Sequence, residues 1–532
     1  MRWGGMGAPP DTSAVAAGTR TGRSPDAPAV ACAAGTPTSS ALWAGRTAVL
    51  AAVAVATLTL RAAGSGITGG LLADTWQLLD IEVLAADPLG SVWYLHTQPP
   101  GYNLLVGIVA WLPLPVAGTL FAIDIAALAG IGLLLHQILV RRGLGSAAAA
   151  VVATVAVLNP SLLNTIGLAS YEVLVCLLAV GALATAQRFL DDSGTAALLA
   201  TSALLTAAAL VRSLLHPAWV LAVVALLLVA RPPGRRAALA SLAIPVVLLG
   251  GWMVKNQVVF GTATTSSWLG FNMQRGVVAP MDADLVEDEV TRGNVSALAL
   301  EPPWDAPERY REWIGDCSPH DHPATSEVSK EPAGWTTTNF NYECYLPVYR
   351  QAQRDAFTLV RRHPGDYLTH RVTALTFSFV HSSSLPGGDT TWLDTVYAPV
   401  LLSVDRDVSQ DGWNIPLFGV AQDIPVRVSL TLAALCAFVL GRGVLSVVRL
   451  ARHGWRDRRD WPTSEVLWLL VTSTVAVVVL GGDLVEIGEN TRFRAMVDPL
   501  LIAFPLASLL LALRLRTQAD ETDPAAEQAL AS

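Results

Sequence analysis

The sequence predicts an all-α protein that crosses a membrane about ten times. Of its 532 residues, 52% are hydrophobic and only 15% are charged, whereas a soluble globular chain carries about 25% charged residues. The apolar residues are concentrated in runs of the length that a helix needs to cross a bilayer, about 20 residues. This composition excludes a soluble enzyme, and the net charge of −8 gives no reason to expect a nucleic acid as a partner.

Ten apolar runs are predicted to be spanning helices. In chain order they are 43–62, 117–140, 146–163, 168–188, 194–212, 215–231, 237–256, 426–446, 464–481 and 495–514. A further apolar stretch, 99–113, is short and opens with two prolines, which fix the backbone and stop a preceding helix. We therefore interpret 99–113 as a re-entrant or interfacial helix.

The distribution of arginine predicts the orientation of the chain. With the N-terminus in the cytoplasm, the inner connections hold most of the arginines, as the positive-inside rule requires. These inner arginines are Arg141, Arg142, Arg188, Arg231, Arg235, Arg236, Arg449, Arg452, Arg456, Arg458, Arg459, Arg514 and Arg516. We therefore expect a multi-pass protein of the plasma membrane with both termini in the cytoplasm.

The domain organisation follows from these spans. We expect a disordered cytoplasmic tail over 1–41, which is rich in Ala, Gly, Pro, Ser and Thr. A membrane module, 42–256, contains a long first outer loop, 64–116, with interfacial helices. An extracytoplasmic insertion, 257–425, is large enough to fold and contains predicted helices at 305–315 and 346–362. The C-terminal helices, 426–514, precede a cytoplasmic tail, 515–532.

Two cysteines, Cys317 and Cys344, lie 27 positions apart in the polar insertion. A disulfide between them is plausible if the insertion is outside the membrane, where disulfides persist. Two free thiols are the alternative.

Ionisable residues from distant parts of the chain are predicted to meet at the outer face. Arginines there run against the orientation bias, and a guanidinium suits bidentate binding of a phosphate. The candidates for binding a phosphate are Arg212, Lys255, Arg492 and Arg494, with His216 second; Glu172 and Glu489 lie at the same level. The alternative is that each arginine pairs with a neighbouring carboxylate, for instance Arg492 with Glu489.

The stretch that follows the first span predicts an interfacial helix. Trp76, Leu79, Val83 and Ala86 recur at helical spacing and form one apolar face. Asp74 stands at the predicted start, and Gln77 three residues later completes a capping box. The functional interpretation is that Asp74 is a general base. The two interpretations are compatible, because a cap also fixes the position of a base.

The segment His96-Thr97-Gln98-Pro99-Pro100-Gly101-Tyr102 follows. Proline suits the first turn of a helix, so one interpretation is a rigid helix entry. In the other, His96, Gln98 and Tyr102 point polar groups at a substrate.

These features, in this order, resemble the GT-C glycosyltransferases, and most closely the branch of the protein O-mannosyltransferases and lipid A aminoarabinose transferases. The matching residues are Asp74 after the first span, the Pro99-Pro100-Gly101-Tyr102 turn, Trp252-x-x-Lys255-Asn256, and Glu489-Asn490-Thr491-Arg492-Phe493-Arg494 with Asp498-Pro499. The resemblance covers about 43–270 and 425–514. The sequence departs from many relatives at Thr75, where they carry Glu, and at Gln98, where some carry Lys or His.

The resemblance implies a helical membrane domain with an outward-facing cavity. Such enzymes transfer a sugar from a polyprenyl-phosphate carrier to an acceptor, usually with inversion, and Asp74 aligns with their catalytic aspartate. No cofactor is required; a divalent metal is compatible with Asp74 and a second carboxylate, but no spacing indicates one. The acceptor, whether a protein, a lipoglycan or a wall polymer, is left open.

Two other functional classes also remain open. One is a transporter or lipid flippase, and the other is a non-catalytic protein of the cell envelope. A transporter typically shows internal repeats and polar breaks in the middle of the membrane. This chain instead places its charges at one face, which favours the transferase.

Overall fold

The computed structural model describes residues 38–330, 337–380, 400–407, 425–454 and 458–521. Most of the two predicted tails therefore lies outside the described residues. Where the predicted tails and the described residues overlap, the chain is helical: the first helix begins at Ser39 and the last ends at Glu521.

The described residues are overwhelmingly α-helical. The helices are α1 Ser39–Ala62, α2 Gly69–Asp74, α3 Ile81–Ala86, α4 Pro88–Trp93, α5 Pro100–Trp111, α6 Val116–Arg141, α7 Ser146–Val157, α8 Pro160–Thr165, α9 Glu172–Asp192, α10 Thr195–Val211, α11 Pro217–Ala230, α12 Arg235–Phe260, α13 Leu269–Met273, α14 Ala283–Thr291, α15 Arg311–Ile314, α16 Pro323–Ser326, α17 Leu346–Arg362, α18 Pro364–Ser378, α19 Leu430–His453, α20 Thr463–Asp483, α21 Asn490–Ala495 and α22 Asp498–Glu521.

Two short antiparallel strand pairs accompany the helices. Strand β1 (Ser329–Lys330) pairs with β2 (Thr337–Thr338), and β3 (Ser403–Asp407) pairs with β4 (Pro425–Ser429) with Ser403 opposite Ser429. A π-helical turn, Gln274–Val278, extends α13. Single 3₁₀ turns cover Ala297–Leu300, Pro307–Tyr310, Glu343–Tyr345 and Arg458–Asp460.

Within the described residues, seven helices are long and apolar enough to cross a membrane: α1, α6, α9, α12, α19, α20 and α22. Three shorter apolar helices, α7, α10 and α11, correspond to the other predicted spans. The predicted all-α polytopic membrane fold is therefore confirmed. Helix α5, predicted as re-entrant or interfacial, has 12 residues, too few to cross a bilayer on its own.

The third predicted span, 146–163, is wrong as one continuous helix. The helix stops after Val157 and restarts at Pro160. Pro160 lacks the N–H that an uninterrupted helix needs. The Asn159 side chain satisfies the broken ends, because its amide donates to the carbonyl of Ala156 at 2.7 Å and its oxygen accepts from the N–H of Leu162 at 3.0 Å.

Burial separates the inner helices from the outer ones. Helix α9 packs between α6 and α10 and is largely enclosed, and α20 is mostly enclosed and packs on α19 and α9. Helices α1 and α12 bury little of their length and expose apolar side chains such as Leu58 and Val258. Because these exposed side chains are apolar, we expect this surface to face lipid.

The insertion has an aromatic core of its own. Phe271 lies at its centre, with ring centroids 4.8 Å from Tyr349 and 5.4 Å from Tyr310. A disulfide joins Cys317 to Cys344, whose Cα atoms are 5.7 Å apart. Helix α17 confirms the predicted helix at 346–362. The predicted helix at 305–315 is instead a 3₁₀ turn followed by the single turn of α15.

Candidate functional site

The helix that carries Asp74 ends at this residue instead of beginning there. Helix α2 is capped at its start by Thr68, whose hydroxyl accepts from the N–H of Leu71 at 3.3 Å. The expected capping box of Asp74 and Gln77 is therefore wrong. The expected apolar face from Trp76 to Ala86 is interrupted as well, because the next helix, α3, is capped by Asp80.

Tertiary hydrogen bonds explain why the helix does not continue past Asp74. The Asn103 amide of α5 donates to the Gln77 carbonyl at 2.9 Å, and its oxygen accepts from the Leu79 N–H at 2.9 Å. From the insertion, the Lys330 ammonium donates to the carbonyls of Thr75 at 3.0 Å and Leu78 at 3.2 Å. These partners bind backbone groups that a helix would pair internally, so residues 75–80 form a turn.

Asp74 is exposed at the edge of this turn, and Lys330 lies buried beneath it. Burial lowers the pKa of Lys330 to about 8, against the opposing attraction of Asp80 and Asp74. Lys330 therefore lies near enough to Asp80 and Asp74 for both carboxylates to attract its charge. The loop that carries the predicted base is held from below by a cation of the insertion.

The chain has two lysines, and each donates hydrogen bonds to backbone carbonyls of the first outer loop. Lys330 binds the loop at Thr75 and Leu78, and the Lys255 ammonium donates to the Leu95 carbonyl at 2.6 Å. Lys255 also lies 3.6 Å from the ring centroid of Trp252, a cation–π contact. Both lysines therefore position the first outer loop from other parts of the chain.

A buried set of ion pairs lies where α9, α13 and the segment before α21 meet. We call it the arginine–glutamate cluster; its members are Glu172, Arg275, Glu486, Glu489 and Arg492. Arg492 contacts Glu172 at 2.8 Å and Glu489 at 3.4 Å. Arg275 contacts Glu486 at 2.8 Å and Glu489 at 3.7 Å. Glu489 thus lies between two arginines, and the members alternate in sign.

The electrostatics of the cluster follow from burial and pairing. Burial by itself lowers the pKa of Arg492 and of Arg275, but their glutamate partners outweigh it and raise both values. Burial raises the pKa of Glu486, partly opposed by Arg275. For Glu489 the two arginines overcome burial and lower the pKa. Both guanidinium groups are therefore firmly charged.

A glycine permits the close approach that forms this cluster. A Cβ atom at Gly276 would come within 2.7 Å of the Val485 carbonyl oxygen and 2.8 Å of the Cα of Glu486. Because glycine has no Cβ, the π-helical turn packs directly on the chain before α21. That packing brings Arg275 to Glu486.

Arg212 extends the cluster toward α5. Its guanidinium donates to the Tyr171 hydroxyl and lies between the rings of Tyr171 and Phe493, at 4.8 Å and 4.7 Å from their centroids. Tyr102 of α5 packs edge-on against Tyr171 at 5.6 Å. Since Asn103, the next residue of α5, holds the turn after Asp74, one helix start joins the Asp74 loop to the cluster.

Several buried polar atoms of this region have no hydrogen-bond partner within the described protein. They are Oε2 of Glu172, Nε of Arg212, Oε1 of Gln98 and Nε of Arg275. A buried polar group without a partner costs about 1–3 kcal/mol. Glu172, Arg212 and Arg275 belong to the cluster or extend it, so their unpaired atoms are available to a polar ligand or water.

The predicted ligand His96 is occupied inside the protein. His96 is fully buried: its Nε2 donates to the Asn341 carbonyl at 3.1 Å, and its Nδ1 accepts from the Ser267 hydroxyl at 2.8 Å. Burial, with the charge of Lys255 second, lowers the pKa of His96 to about 3. His96 is thus a neutral link between the first loop and the insertion.

The remaining predicted residues lie elsewhere. His216 is exposed and caps α11 through Nδ1, which accepts from the Ala218 N–H at 3.2 Å. Arg494 is buried and donates to Asp498 at 2.9 Å, to the Ser161 hydroxyl at 2.6 Å and to the Ser378 carbonyl. Arg494 therefore joins α8, α18, α21 and α22. Nothing in its surroundings supports its predicted role as a phosphate ligand.

Three residues of the site were not predicted from the sequence: Arg275, Glu486 as a pairing partner, and Lys330. Arg275 and Lys330 both lie in the insertion, whose folding against the first loop is not visible in hydropathy. The rarity of lysine was the available signal for Lys330, because only two occur in the chain. Among the described residues, no group of three or more His, Cys, Asp or Glu side chains is arranged to hold a metal ion.

Comparison with known proteins gives one structural likeness. No family model matches the sequence, and no curated protein matches it. The chain is similar to the crystal structure of the Archaeoglobus fulgidus oligosaccharyltransferase tethered with an acceptor peptide containing the NVT sequon, with 14% identity and a TM-score of 0.32. The match covers 89% of this chain and 50% of that one, so this chain spans about half of its length.

Proposed function

We propose that this protein is a membrane glycosyltransferase that moves a sugar from a polyprenyl-phosphate carrier to an acceptor hydroxyl outside the cytoplasm. The proposal rests on the sequence resemblance to GT-C enzymes and on one structural observation. That observation is the buried arginine–glutamate cluster, with unpaired polar atoms, connected through the start of α5 to the loop that ends in Asp74.

The cluster suits the phosphate of a lipid-linked donor. Arg492 keeps 25% of its side chain accessible, and Arg212 has an unpaired Nε. Arginine binds phosphate through two parallel hydrogen bonds. Because Glu172 and Glu489 fix the guanidinium of Arg492 before any ligand arrives, little reorganisation accompanies binding.

The reaction assigns a role to each group. The acceptor oxygen attacks the anomeric carbon of the sugar while the bond from that carbon to the phosphate oxygen breaks. Asp74 takes the proton of the acceptor hydroxyl, and a positioned base of this kind contributes about 10²–10⁴-fold to the rate. The polyprenyl phosphate leaves with the bonding electrons, and Arg212 and Arg492 stabilise the negative charge that develops on it.

Tyr102, Gln98 and Glu172 are assigned to positioning the substrates. Gln98 and Glu172 have buried oxygens with no partner in the described protein, and each oxygen accepts a hydrogen bond from a sugar hydroxyl in this proposal. Tyr102, at the start of α5, packs edge-on against Tyr171, which directly precedes Glu172. Glu489 keeps Arg275 and Arg492 apart and in place.

A transfer assay tests this function. Purified protein in nanodiscs is given radiolabelled polyprenyl-phosphate sugars and candidate acceptors. We expect Asp74→Asn to lower transfer by at least about 100-fold, because an amide does not accept the proton. Glu82→Gln is the matched control, since Glu82 is also an exposed carboxylate of the first loop, and its transfer rate should stay unchanged. Full activity in Asp74→Asn would remove the base assignment.

The proposed orientation has its own test. An engineered cysteine at the exposed Glu308 of the insertion should react with a membrane-impermeant thiol reagent in intact cells. A cysteine at the exposed Thr195 should react only after permeabilisation. Both native free cysteines of the described chain, Cys176 and Cys436, are buried. Labelling in the reverse order would overturn the topology and place the Asp74 loop in the cytoplasm.

A transporter of lipids or solutes is the second candidate, and the interrupted third span favours it. Broken helices near a binding site are typical of transporters, and the chain is non-helical between α7 and α8. The Asp74→Asn variant separates the two functions. Substrate movement across a vesicle membrane that persists in this variant, with no sugar transfer by the wild type, would favour the transporter.

A further inference from the structure

The beginning of α20 and the end of α19 enclose a second charged site. We call it the Glu465 site; its members are Arg442, Arg449, Arg452, His453 and Glu465. Arg442 donates to both oxygens of Glu465, at 2.7 and 2.9 Å, and Arg449 donates to one of them at 2.9 Å. This site lies far from the arginine–glutamate cluster, because α20 runs 18 residues, about 27 Å, from Glu465 to Asp483.

Positive charge at the Glu465 site exceeds negative charge. Arg442 and Arg449 contact the single carboxylate, and Arg452 and His453 line a depression beside it. A further cation, Arg142, stacks 5.3 Å from the ring centroid of Trp468, and Arg442 stacks on the same ring at 5.3 Å. Arg142 has a buried Nη1 with no partner in the described protein. One carboxylate does not neutralise this group of cations.

The site includes a shallow depression that opens to the surface. The depression has a volume of about 230 Å³ and is lined by Arg449, Arg452, His453, Pro462 and Glu465. Arg449 keeps 48% of its side chain accessible. Its charge is therefore available to a ligand while its contact with Glu465 fixes its position.

The surface next to the depression is apolar. On α19, Leu445 is 42% exposed and Val448 is 38% exposed. They precede Arg449 and Arg452 by four residues, one helical turn, so each lies directly below an arginine on the same helix face. An apolar surface directly next to a cationic one matches an amphiphile that has a phosphate head and an acyl tail.

We propose that the Glu465 site binds a phosphate group, supplied by the headgroup of an anionic phospholipid. The arginines take the phosphate oxygens, and Leu445 and Val448 contact the acyl chain. The site is separate from the proposed donor site in position and in charge balance. A free phosphate offers the same oxygens but not the acyl chain, so the lipid is favoured by the apolar surface.

Native mass spectrometry of the purified full chain tests this proposal. The protein is exchanged into neutral detergent with phosphatidylglycerol or phosphatidylcholine, and bound lipid is counted. We expect phosphatidylglycerol to remain bound to the wild type. The double variant Arg449→Gln, Arg452→Gln should retain about thirtyfold less, since each of the two basic residues contributes about 1 kcal/mol to attraction of an anionic lipid.

The matched control is Arg514→Gln, Arg516→Gln. These arginines are also exposed near a helix end, in α22, and this variant should retain the lipid as the wild type does. Equal retention in both double variants would overturn the proposal. A parallel titration with inorganic phosphate distinguishes the source: binding of phosphate lost only in the Arg449, Arg452 variant supports the phosphate site but assigns it to a soluble anion.

Discussion

The two charged sites of this protein differ in how their charges are balanced. The arginine–glutamate cluster, with Arg212, contains three arginines and three glutamates. The Glu465 site has one glutamate among several cations. Members of the first are mostly buried, and Glu172 has no exposed surface. In the second, Arg449 is nearly half exposed. Paired glutamates are buried in both sites, and the excess positive charge of Arg449 stays hydrated.

This difference has a physical reason and a functional consequence. Removing a charge from water costs several kcal/mol, which only a close partner offsets. A matched cluster can therefore be buried, and its fixed dipoles suit stabilisation of a charge that appears during a reaction. An unmatched cationic site attracts a permanent anion instead. The first arrangement fits catalysis, and the second fits the binding of an anionic headgroup.

Substitution of Glu172 by glutamine should have the largest effect on stability. Arg492 would lose the partner that accepts both its Nε and its Nη2 hydrogen bonds. Breaking a buried ion pair by removing one partner costs about 3–5 kcal/mol. The free energy of unfolding is measured by denaturant titration in mixed micelles. Glu308→Gln, an exposed carboxylate, is the control and should change it by less than about 0.5 kcal/mol.

Acidification should have an intermediate effect through His96. The folded protein keeps His96 neutral, with its pKa lowered to about 3, whereas the unfolded chain protonates histidine near pH 6.5. Between these values the unfolded state binds more protons, so stability falls as the pH falls. From pH 7 to pH 5 this residue alone removes about 2 kcal/mol.

Thermal unfolding of wild type and of His96→Gln at pH 7 and pH 5 measures this effect. The variant is less stable at pH 7, because it loses the contacts to Ser267 and Asn341, but its stability should depend less on pH. His453→Gln, an exposed histidine at the Glu465 site, should keep the wild-type pH dependence. An unchanged dependence in His96→Gln would mean that other groups carry the acid sensitivity.

Substitution of Glu465 by glutamine should have a smaller effect than that of Glu172, because Arg449, one of its two arginine partners, is accessible and can hydrate. The Glu465→Gln variant also tests the difference between the two charged sites. At the Glu465 site, the phosphate of an anionic headgroup would replace the lost carboxylate as the partner of the arginines. Unfolding in micelles with and without phosphatidylglycerol measures this. We expect the lipid to restore the stability of Glu465→Gln but not that of Glu172→Gln. Rescue of both variants would show that the two sites respond alike and would contradict the contrast drawn between them.

The sequence could predict those features that depend on local pattern. The length of an apolar run decides whether a helix can cross a bilayer, and this predicted the spans that α1, α6, α9 and α12 confirm. The amphipathic period of 346–362 likewise predicted α17. Pro160 was a signal for the helix break at Asn159-Pro160, but the apolar residues on either side led to the prediction of one continuous span.

The Asp74 loop shows what local pattern could not predict. Residues 74–86 have the period of a helix, yet Asn103 and Lys330, 24 to 255 positions away, bind backbone groups within the turn. Likewise, Arg494 was predicted to bind a phosphate because it is an arginine at the outer face and belongs to the Glu489–Arg494 stretch that resembles the GT-C enzymes. Its burial against Ser161 and Asp498 occupies its hydrogen-bond donors instead.

The sequence by itself determined that this is a helical membrane protein, where most of its long apolar helices lie, and that charges gather in the segments between them. Only the tertiary structure decided which of those charges pair, because Arg492 and Glu172 are 320 positions apart and meet through the packing of α21 against α9. Hydropathy is a sum over neighbours in the chain, whereas an ion pair depends on distance in space.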